Sequence, residues 1–327
     1  MNPNRRTVLI SAAAMAAALA MPAHAQAQAP FPNRPIRLVV PFPPGGSTDV
    51  AARTIAERMA QDLGQPVIVD NRPGAGTTIG AANVAAAAPD GHTLYITGTI
   101  SHASAAALYN KLSYDPVKSF TAVGFVTESP FILAVNSAAR EHTVQELIQA
   151  ARAQPGEITY ASSGNGAAPH LSAELLARSA GVKFLHVPYK GVGPALTALL
   201  SDEVRFTVAD AGAVPHNAGG RLRALSVLSA NPSPMLPGVP GLASSGIKDV
   251  DISSNLGLLA PAGTPTDVLD KLHASLNRSL AQEGIKAKLA GLGQLVAPRS
   301  RDEFMRTLVN DVQRYASVVK EAGIRID

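Results

Sequence analysis

With 327 residues, a formal net charge of +4 and no cysteine, the chain excludes several classes at once. Lack of cysteine removes disulfides, thiolate metal sites and cysteine nucleophiles, and the basic residues are scattered, so no nucleic-acid footprint is present. None of the eight histidines pairs at i,i+4 or sits in H-E-x-x-H, which leaves metals and other cofactors without a motif.

The first residues read as an export signal. Arg5 and Arg6 form a charged start, 8–21 is almost uninterrupted apolar chain, and Ala23-His24-Ala25 is the small-x-small pattern a signal peptidase reads. Residues 1–25 are expected to be removed near Gln26, with Ala27 and Ala29 as neighbouring cut points. Arg5-Arg6 ahead of Thr7-Val8-Leu9 fits a twin-arginine signal and an ordinary Sec signal equally. Either route leads to the periplasm. The remaining chain, roughly 300 residues, suits two domains and has no other run long enough to span a membrane, so it is expected to be soluble.

Short β-branched runs then alternate with helical patterns, which predicts an α/β architecture with mainly parallel sheets. Strands are expected at 36–40, 66–70 and 93–97, with helices at 48–63 and 79–88 between them. In the first helix Ile55, Met59 and Leu63 recur every fourth residue. Two strands follow at 120–127 and 131–135, separated by Glu128-Ser129-Pro130. Thr143 and Glu146 form a capping box at the next helix start. Strands at 158–161, 183–187, 204–209 and 222–228 then alternate with helices at 168–180 and 194–200, and 231–246 reads as a surface loop. Near the end Thr264 is expected to cap a helix with Pro265 in its first turn, and Leu269, Leu272, Leu276 and Leu280 on one face. Ser300 and Glu303 form a second capping box before Phe304, Leu308, Val312, Tyr315 and Val319.

The most informative segment is Pro41-Phe42-Pro43-Pro44-Gly45-Gly46-Ser47-Thr48-Asp49, where a strand ends and a helix begins. The glycines permit a sharp turn, and the helix start aims unpaired N–H groups outward, which suits an anion. Ser47 or Thr48 could cap the helix, and Asp49 fits either a structural cap or a ligand contact. A similar strand–turn–helix recurs at Ser162-Ser163-Gly164-Asn165-Gly166-Ala167-Ala168-Pro169-His170. Two such loops, one in each lobe, could clasp one small molecule at the carboxyl ends of parallel strands. Thr97-Gly98 and Asp210, also at strand ends, complete the candidate set.

Familiar phosphate and hydrolase motifs fail. Gly74-Ala75-Gly76 and Gly164-Asn165-Gly166 lack the third glycine of a dinucleotide fingerprint, and no P-loop exists. No G-x-S-x-G elbow surrounds Ser47, Ser101, Ser162 or Ser163. A triad of Ser162 or Ser163 with His170 and an aspartate remains an alternative, since triads are recognised in space.

Seven segments in order resemble the Bug, or TctC-like, solute receptors of tripartite tricarboxylate transporters. They are Pro41-Phe42-Pro43-Pro44-Gly45-Gly46-Ser47-Thr48-Asp49 with Ala52-Arg53, Asn71-Arg72-Pro73-Gly74-Ala75-Gly76, and Pro89-Asp90-Gly91-His92-Thr93-Leu94. They continue with Ser163-Gly164-Asn165-Gly166 and His170-Leu171, His186-Val187-Pro188-Tyr189-Lys190-Gly191, Leu222-Arg223-Ala224-Leu225, and Leu259-Ala260-Pro261-Ala262-Gly263-Thr264-Pro265. The resemblance implies a two-lobed periplasmic-binding (Venus flytrap) fold, with lobe 1 formed by 28–129 and 253–327 and lobe 2 by 130–252, the crossings lying near Pro130 and Ser253. It implies a non-enzymatic, monomeric receptor that binds a small carboxylate, needs no cofactor and partners the transporter's membrane subunits. Ligand contacts would come from Phe42, Gly45, Gly46, Ser47, Thr48 and Asp49, from Ser162, Ser163, Gly164, Asn165, Gly166 and Ala167 with His170 nearby, and from Thr97, Gly98 and Asp210. This chain departs from the family at Thr77, His92, Ser201-Asp202-Glu203 and Asn255, so ligand identity does not transfer from a relative. A role as ligand-presenting partner of a membrane receptor kinase stays open beside the transporter role.

Overall fold

The computed structural model describes residues 30–324 apart from 110, 211–212, 248–249 and 251. The expected export signal over 1–25, the ends of the expected first lobe (28–29 and 325–327) and Ala211-Gly212 lie outside the described residues. Among those described, no helix is long and apolar enough to cross a membrane.

In chain order the first sheet takes β1 (Ile36–Val40), β2 (Val67–Asn71), β3 (Thr93–Gly98), β4 (Phe120–Pro130), β10 (Ser253–Pro261) and β11 (Leu295–Val296). The second takes β5 (Ile132–Asn136), β6 (Thr159–Ser162), β7 (Leu185–Pro188), β8 (Phe206–Ala209) and β9 (Leu222–Val227). Their spatial orders are β11-β4-β10-β3-β1-β2 and β7-β6-β8-β5-β9. Ile36, Leu38, Val39 and Val40 of β1 are all buried, so the strand is covered on both faces and reads as a continuous apolar run.

Helices α1 (Ser47–Leu63), α8 (Thr266–Leu280) and α9 (Glu283–Gly291) cover one face of the first sheet. Ile55, Met59, Leu272 and Leu276 pack there against Leu38, Val40 and Leu258. The other face carries α2 (Thr78–Ala85), α3 (Thr99–Leu108) and α10 (Arg301–Glu321). On the second sheet, α4 (Val144–Ala153) and α5 (Ala168–Ala180) oppose α6 (Val192–Leu200) and α7 (Val214–Ala218). One apolar cluster runs from Phe125 and Phe304 in the first layer system to Leu171, Leu176 and Phe206 in the second. The end of α10 also meets α5, where Arg178 Nε lies 3.0 Å from Glu321 Oε2 and Arg178 donates to Ser317 Oγ at 3.0 Å.

The chain passes between the sheets at two adjacent places. β4 ends at Pro130 and β5 begins at Ile132; β10 opens at Ser253, directly opposite Pro130. Leu228 N donates to Phe131 O at 2.8 Å and Ile252 N to Leu228 O at 3.0 Å, which ties both crossings together. The architecture is two α/β lobes joined by neighbouring strands.

Tertiary pairing accounts for the differences from the sequence expectations. The sheets are mixed in pairing: β10 and β11 run against the other strands of the first sheet, and β5 against those of the second. β4 continues through Glu128-Ser129-Pro130 because β10 pairs with it to the end. α3 and β10 were not expected as elements. α3 buries His102 and Ser104, which blurs its apolar stripe, and β10 contains Gly257, where a Cβ would overlap the Phe304 ring. Pro265, not Thr264, is the N-cap of α8, and the Thr264 hydroxyl donates to Pro261 O at 2.8 Å instead. The 231–246 stretch is less of a surface loop than expected, since Leu236 and Leu242 are buried in it.

Candidate functional site

Pairing registers bring the candidate segments to the two sides of the crossing. β1 and β3 are parallel, so Pro41-Phe42 and Thr97-Gly98 leave the same edge of the first sheet. β6 and β8 are parallel, so Ser162 and Asp210 leave one edge of the second. Gly98 pairs with Leu256, Ser253 with Pro130, and Ile132 with Ala209. That sequence of partners leads from Gly98 through the crossing strands to Asp210, so both carboxyl edges border the crossing. A concavity of about 750 Å³ lies elsewhere, lined by residues such as Glu141, Thr159, Asp202 and Arg205. It includes none of the predicted site residues.

The first loop is held open by a buried carboxylate. Gly45 takes φ +84°, a left-handed conformation that favours glycine, and Gly46 is the N-cap of α1 with no side-chain cap. Neither Ser47 nor Thr48 occupies the cap position, which corrects that expectation. Asp49 is 2% exposed and accepts the Gly45 N–H at 2.9 Å, Arg53 Nε at 3.0 Å and Asn71 Nδ2 at 2.8 Å. Asn71 Nδ2 also donates to Phe42 O at 3.1 Å, and Arg53 donates to Asn71 Oδ1 at 2.9 Å. Burial opposes ionisation of Asp49, but hydrogen bonds from Arg53, the Gly45 amide and Asn71 outweigh it and hold the carboxyl at about 2. Of the two readings of Asp49, this network favours the structural one.

The second loop is built differently. Gly164 and Gly166 take φ +136° and +70°, and α5 starts at the Ala167 N-cap, again with no side-chain cap. Ser162 is wholly buried; its Oγ accepts the Gly164 N–H at 3.1 Å and lies 2.6 Å from His186 Nε2. His170 Nδ1 accepts the Gly166 N–H at 3.0 Å. The His170 and His186 rings stack at 3.7 Å, and the Tyr160 ring packs beside them, 4.9 Å from His186 and 6.3 Å from His170. Burial lowers both histidines, His170 to about 3 and His186 to about 4.

Uncapped starts matter because the first N–H groups of a helix have no intrahelical acceptor. Side-chain caps do occur in this chain, from Thr143 on α4 and from the Ser300–Glu303 box on α10. At α1, α5 and α3, whose N-cap is Gly98, glycine or alanine stands there instead. Both loops thus present backbone donors and the positive ends of helix dipoles, an arrangement suited to a carboxylate. Thr97 is 1% exposed, so the accessible part of that segment is the backbone around Gly98. Asp210 O accepts the Ala213 N–H at 3.0 Å.

Arg53, Asn71 and His186 complete the loop supports, and the sequence offered only indirect signals for them. Arg53 follows Asp49 by one helical turn, a spacing that pairs charges. Asn71 lies at the end of β2, beside the end of β1. His186 has no local signal, since its partner Ser162 comes from a neighbouring strand. For the hydrolase alternative, the serine paired with an imidazole is Ser162, but its partner is His186, not His170. It is fully buried with its Oγ engaged, which leaves it unsuited to nucleophilic attack.

Two α/β lobes, crossing strands side by side and glycine-rich helix starts at the bordering edges define a two-lobed solute-binding protein. The profile of the TctC family, the tripartite tricarboxylate transporter family receptor, matches residues 51–324, and the chain belongs to that family, whose members are periplasmic binding receptors. It is similar to BugT of Bordetella pertussis, 34% identical over 100% of both chains. Among solved structures it resembles MatC of Rhodopseudomonas palustris with bound malate, at 35% identity and TM-score 0.76, covering 88% of this chain and 100% of that one. An R. palustris protein with adipate matches at 34% identity and TM-score 0.78, covering 90% and 100%.

Proposed function

We propose that this chain is exported to the periplasm with removal of its signal segment, captures one small organic carboxylate between its lobes as a monomer, and delivers it to the membrane subunits of a tripartite tricarboxylate transporter. Lobe 1 takes 28–129 and 253–327, and lobe 2 takes 130–252. The observation that carries this reading is the pair of uncapped, glycine-rich helix starts on edges that both border the crossing. Malate and adipate in two relatives support a carboxylate as the ligand class.

Phe42, Gly45, Gly46, Ser47 and Thr48 form one half of the site. Ser163, Gly164, Asn165, Gly166 and Ala167 form the other, with Gly98 and Asp210 completing the wall. Backbone N–H groups hold the carboxylate, while Asp49, Ser162 and His170 hold the loops. The ligand bridges the lobes and so favours their closed arrangement. No residue in this arrangement is placed for turnover, and the chain acts as a receptor, not an enzyme. A thermal-shift screen against small organic acids tests the reading, because a ligand that binds only the folded state raises its melting temperature. No shift with any acid would contradict it.

A further inference from the structure

The imidazole pair under the second loop carries an inference about how that loop is controlled, and it rests on the carboxylate-receptor reading above. Loop shape depends on one nitrogen from each ring. His170 Nδ1 accepts the Gly166 N–H at 3.0 Å, so this nitrogen carries no proton and the ring's hydrogen is on Nε2. Nε2 faces Glu174 Oε1 at 4.0 Å, the same oxygen that accepts the Tyr160 hydroxyl at 2.6 Å. His186 Nε2 meets Ser162 Oγ at 2.6 Å, and that oxygen in turn accepts the Gly164 N–H. Each histidine therefore supports one of the two positive-φ glycines of the loop.

The rings are also coupled to each other. They stack at 3.7 Å with 16° between planes, and Tyr160 lies beside the pair, 4.9 Å from His186 and 6.3 Å from His170. Two imidazolium ions cannot share that geometry at low cost, because like charges a few ångströms apart repel strongly in a poorly solvated site. Protonation of His170 at Nδ1 would also replace the acceptor of the Gly166 N–H with a donor. Among the described residues, α5 contributes Glu174 and His170 itself, β7 contributes His186, β6 contributes Tyr160 and Ser162, and β8 adds the Phe206 ring against Tyr160. Glu174 is thus the one named carboxylate in contact, and its near oxygen is already engaged by Tyr160.

We propose that His170 and His186 are positioning residues that act as a neutral imidazole pair to set the second loop, so that acidification reshapes the loop and weakens ligand binding. Burial keeps both rings neutral through ordinary external pH, so the effect is confined to acid conditions. The first loop lacks this sensitivity, because its anchor is the Asp49 carboxylate.

The test is a pH titration of the full chain by NMR, following the histidine ring nitrogens and the Gly45, Gly164 and Gly166 amides from about pH 7 down to about 3, the value to which burial lowers His170. The expected result is neutral rings with an unprotonated His170 Nδ1 at the upper end, and Gly164 and Gly166 amides that shift together with ring protonation while Gly45 stays fixed. Rings that titrate independently near the ordinary histidine value, or loop amides that ignore ring protonation, would overturn the proposal. A second arm measures malate and adipate binding by His186→Gln, which keeps a polar atom near Ser162, and His186→Phe, which keeps the stack alone. Weakening by about tenfold in the Phe variant, with partial rescue in Gln, is expected from removing the imidazole that holds Ser162 Oγ and leaving that hydroxyl only its Gly164 contacts. Equal affinities in both variants and the parent would overturn it. If neither these two acids nor any acid of the thermal-shift screen binds the parent while the amides move as expected, the loop inference stands and the carboxylate reading is what fails.

Discussion

Asn71 Nδ2 donates to Asp49 Oδ1 across 2.8 Å, joining the end of β2 to the first turn of α1. The bond makes the first glycine-rich loop a bracket between two elements, with the Phe42 carbonyl and the Gly45 amide drawn to the same two side chains. Replacing Asn71 with alanine removes its three side-chain bonds, to Asp49, Phe42 O and Arg53, and takes one donor from a buried carboxylate oxygen. A stability loss of about 1–3 kcal/mol is expected by chemical denaturation, together with weaker ligand binding. An unchanged variant would show the bracket to be idle.

The two glycines of that loop should behave differently. Gly45 at φ +84° penalises any side chain, so Gly45→Ala is expected to cost about 1–2 kcal/mol through backbone strain alone. Gly46 takes φ −72°, and a Cβ there meets only Pro43 O at an ordinary 3.7 Å. Gly46→Ala should leave the melting temperature unchanged, whereas Gly46→Phe should keep the fold and block the helix start. Melting curves of the three variants decide this.

Stability should fall on mild acidification. His170, His186 and His102 are lowered from 6.5 to about 3, 4 and 4, in each case mainly by burial. The unfolded chain therefore binds protons that the folded chain refuses, and the stabilisation is lost as pH drops from about 6.5 toward 4. Asp49, lowered from 3.8 to about 2, has the same sign in a lower window: its contribution is complete above the ordinary carboxyl value and is lost as pH falls from about 3.8 through about 2. Melting temperature measured against pH should decline across the histidine window. A flat profile there would contradict the neutral assignment.

Gly257 seats the C-terminal helix. A Cβ at this position of β10 would overlap the Phe304 ring, which also packs edge-on to Phe125 at 5.8 Å. Gly257→Ala should destabilise the chain by about 1–3 kcal/mol, as overpacking of a core does. Phe304→Leu should restore part of the loss in the double variant, as measured by denaturation.

Much of this was readable in the sequence where the signal is local. The Thr143 side-chain cap (whose Glu146 reaches back to His142 N and so does not complete a capping box), the Ser300–Glu303 capping box, the α5 bounds and the strand-to-glycine-to-helix transitions at both loops depend on neighbours a few residues away. What escaped depends on distant partners. β10 carries Gly257 where a strand would favour a larger residue, because Phe304 from α10 fills the space. α3 hides its stripe by burying His102, whose Nε2 finds Pro116 O at 2.8 Å. Asp49 fits two roles in the sequence because its partner Asn71 arrives only when β2 lies beside β1. His186 reaches Ser162 only through the parallel pairing of β6 with β7.

The most direct test of capture between the two loops is a thermal-shift screen of small organic acids on the parent chain and on Gly46→Phe. The expected result is a carboxylate that raises the melting temperature of the parent and leaves that of the variant unmoved, while the two unliganded proteins melt alike. A shift that survives in the variant would place the ligand elsewhere, and a parent that responds to no carboxylate would contradict the receptor function itself.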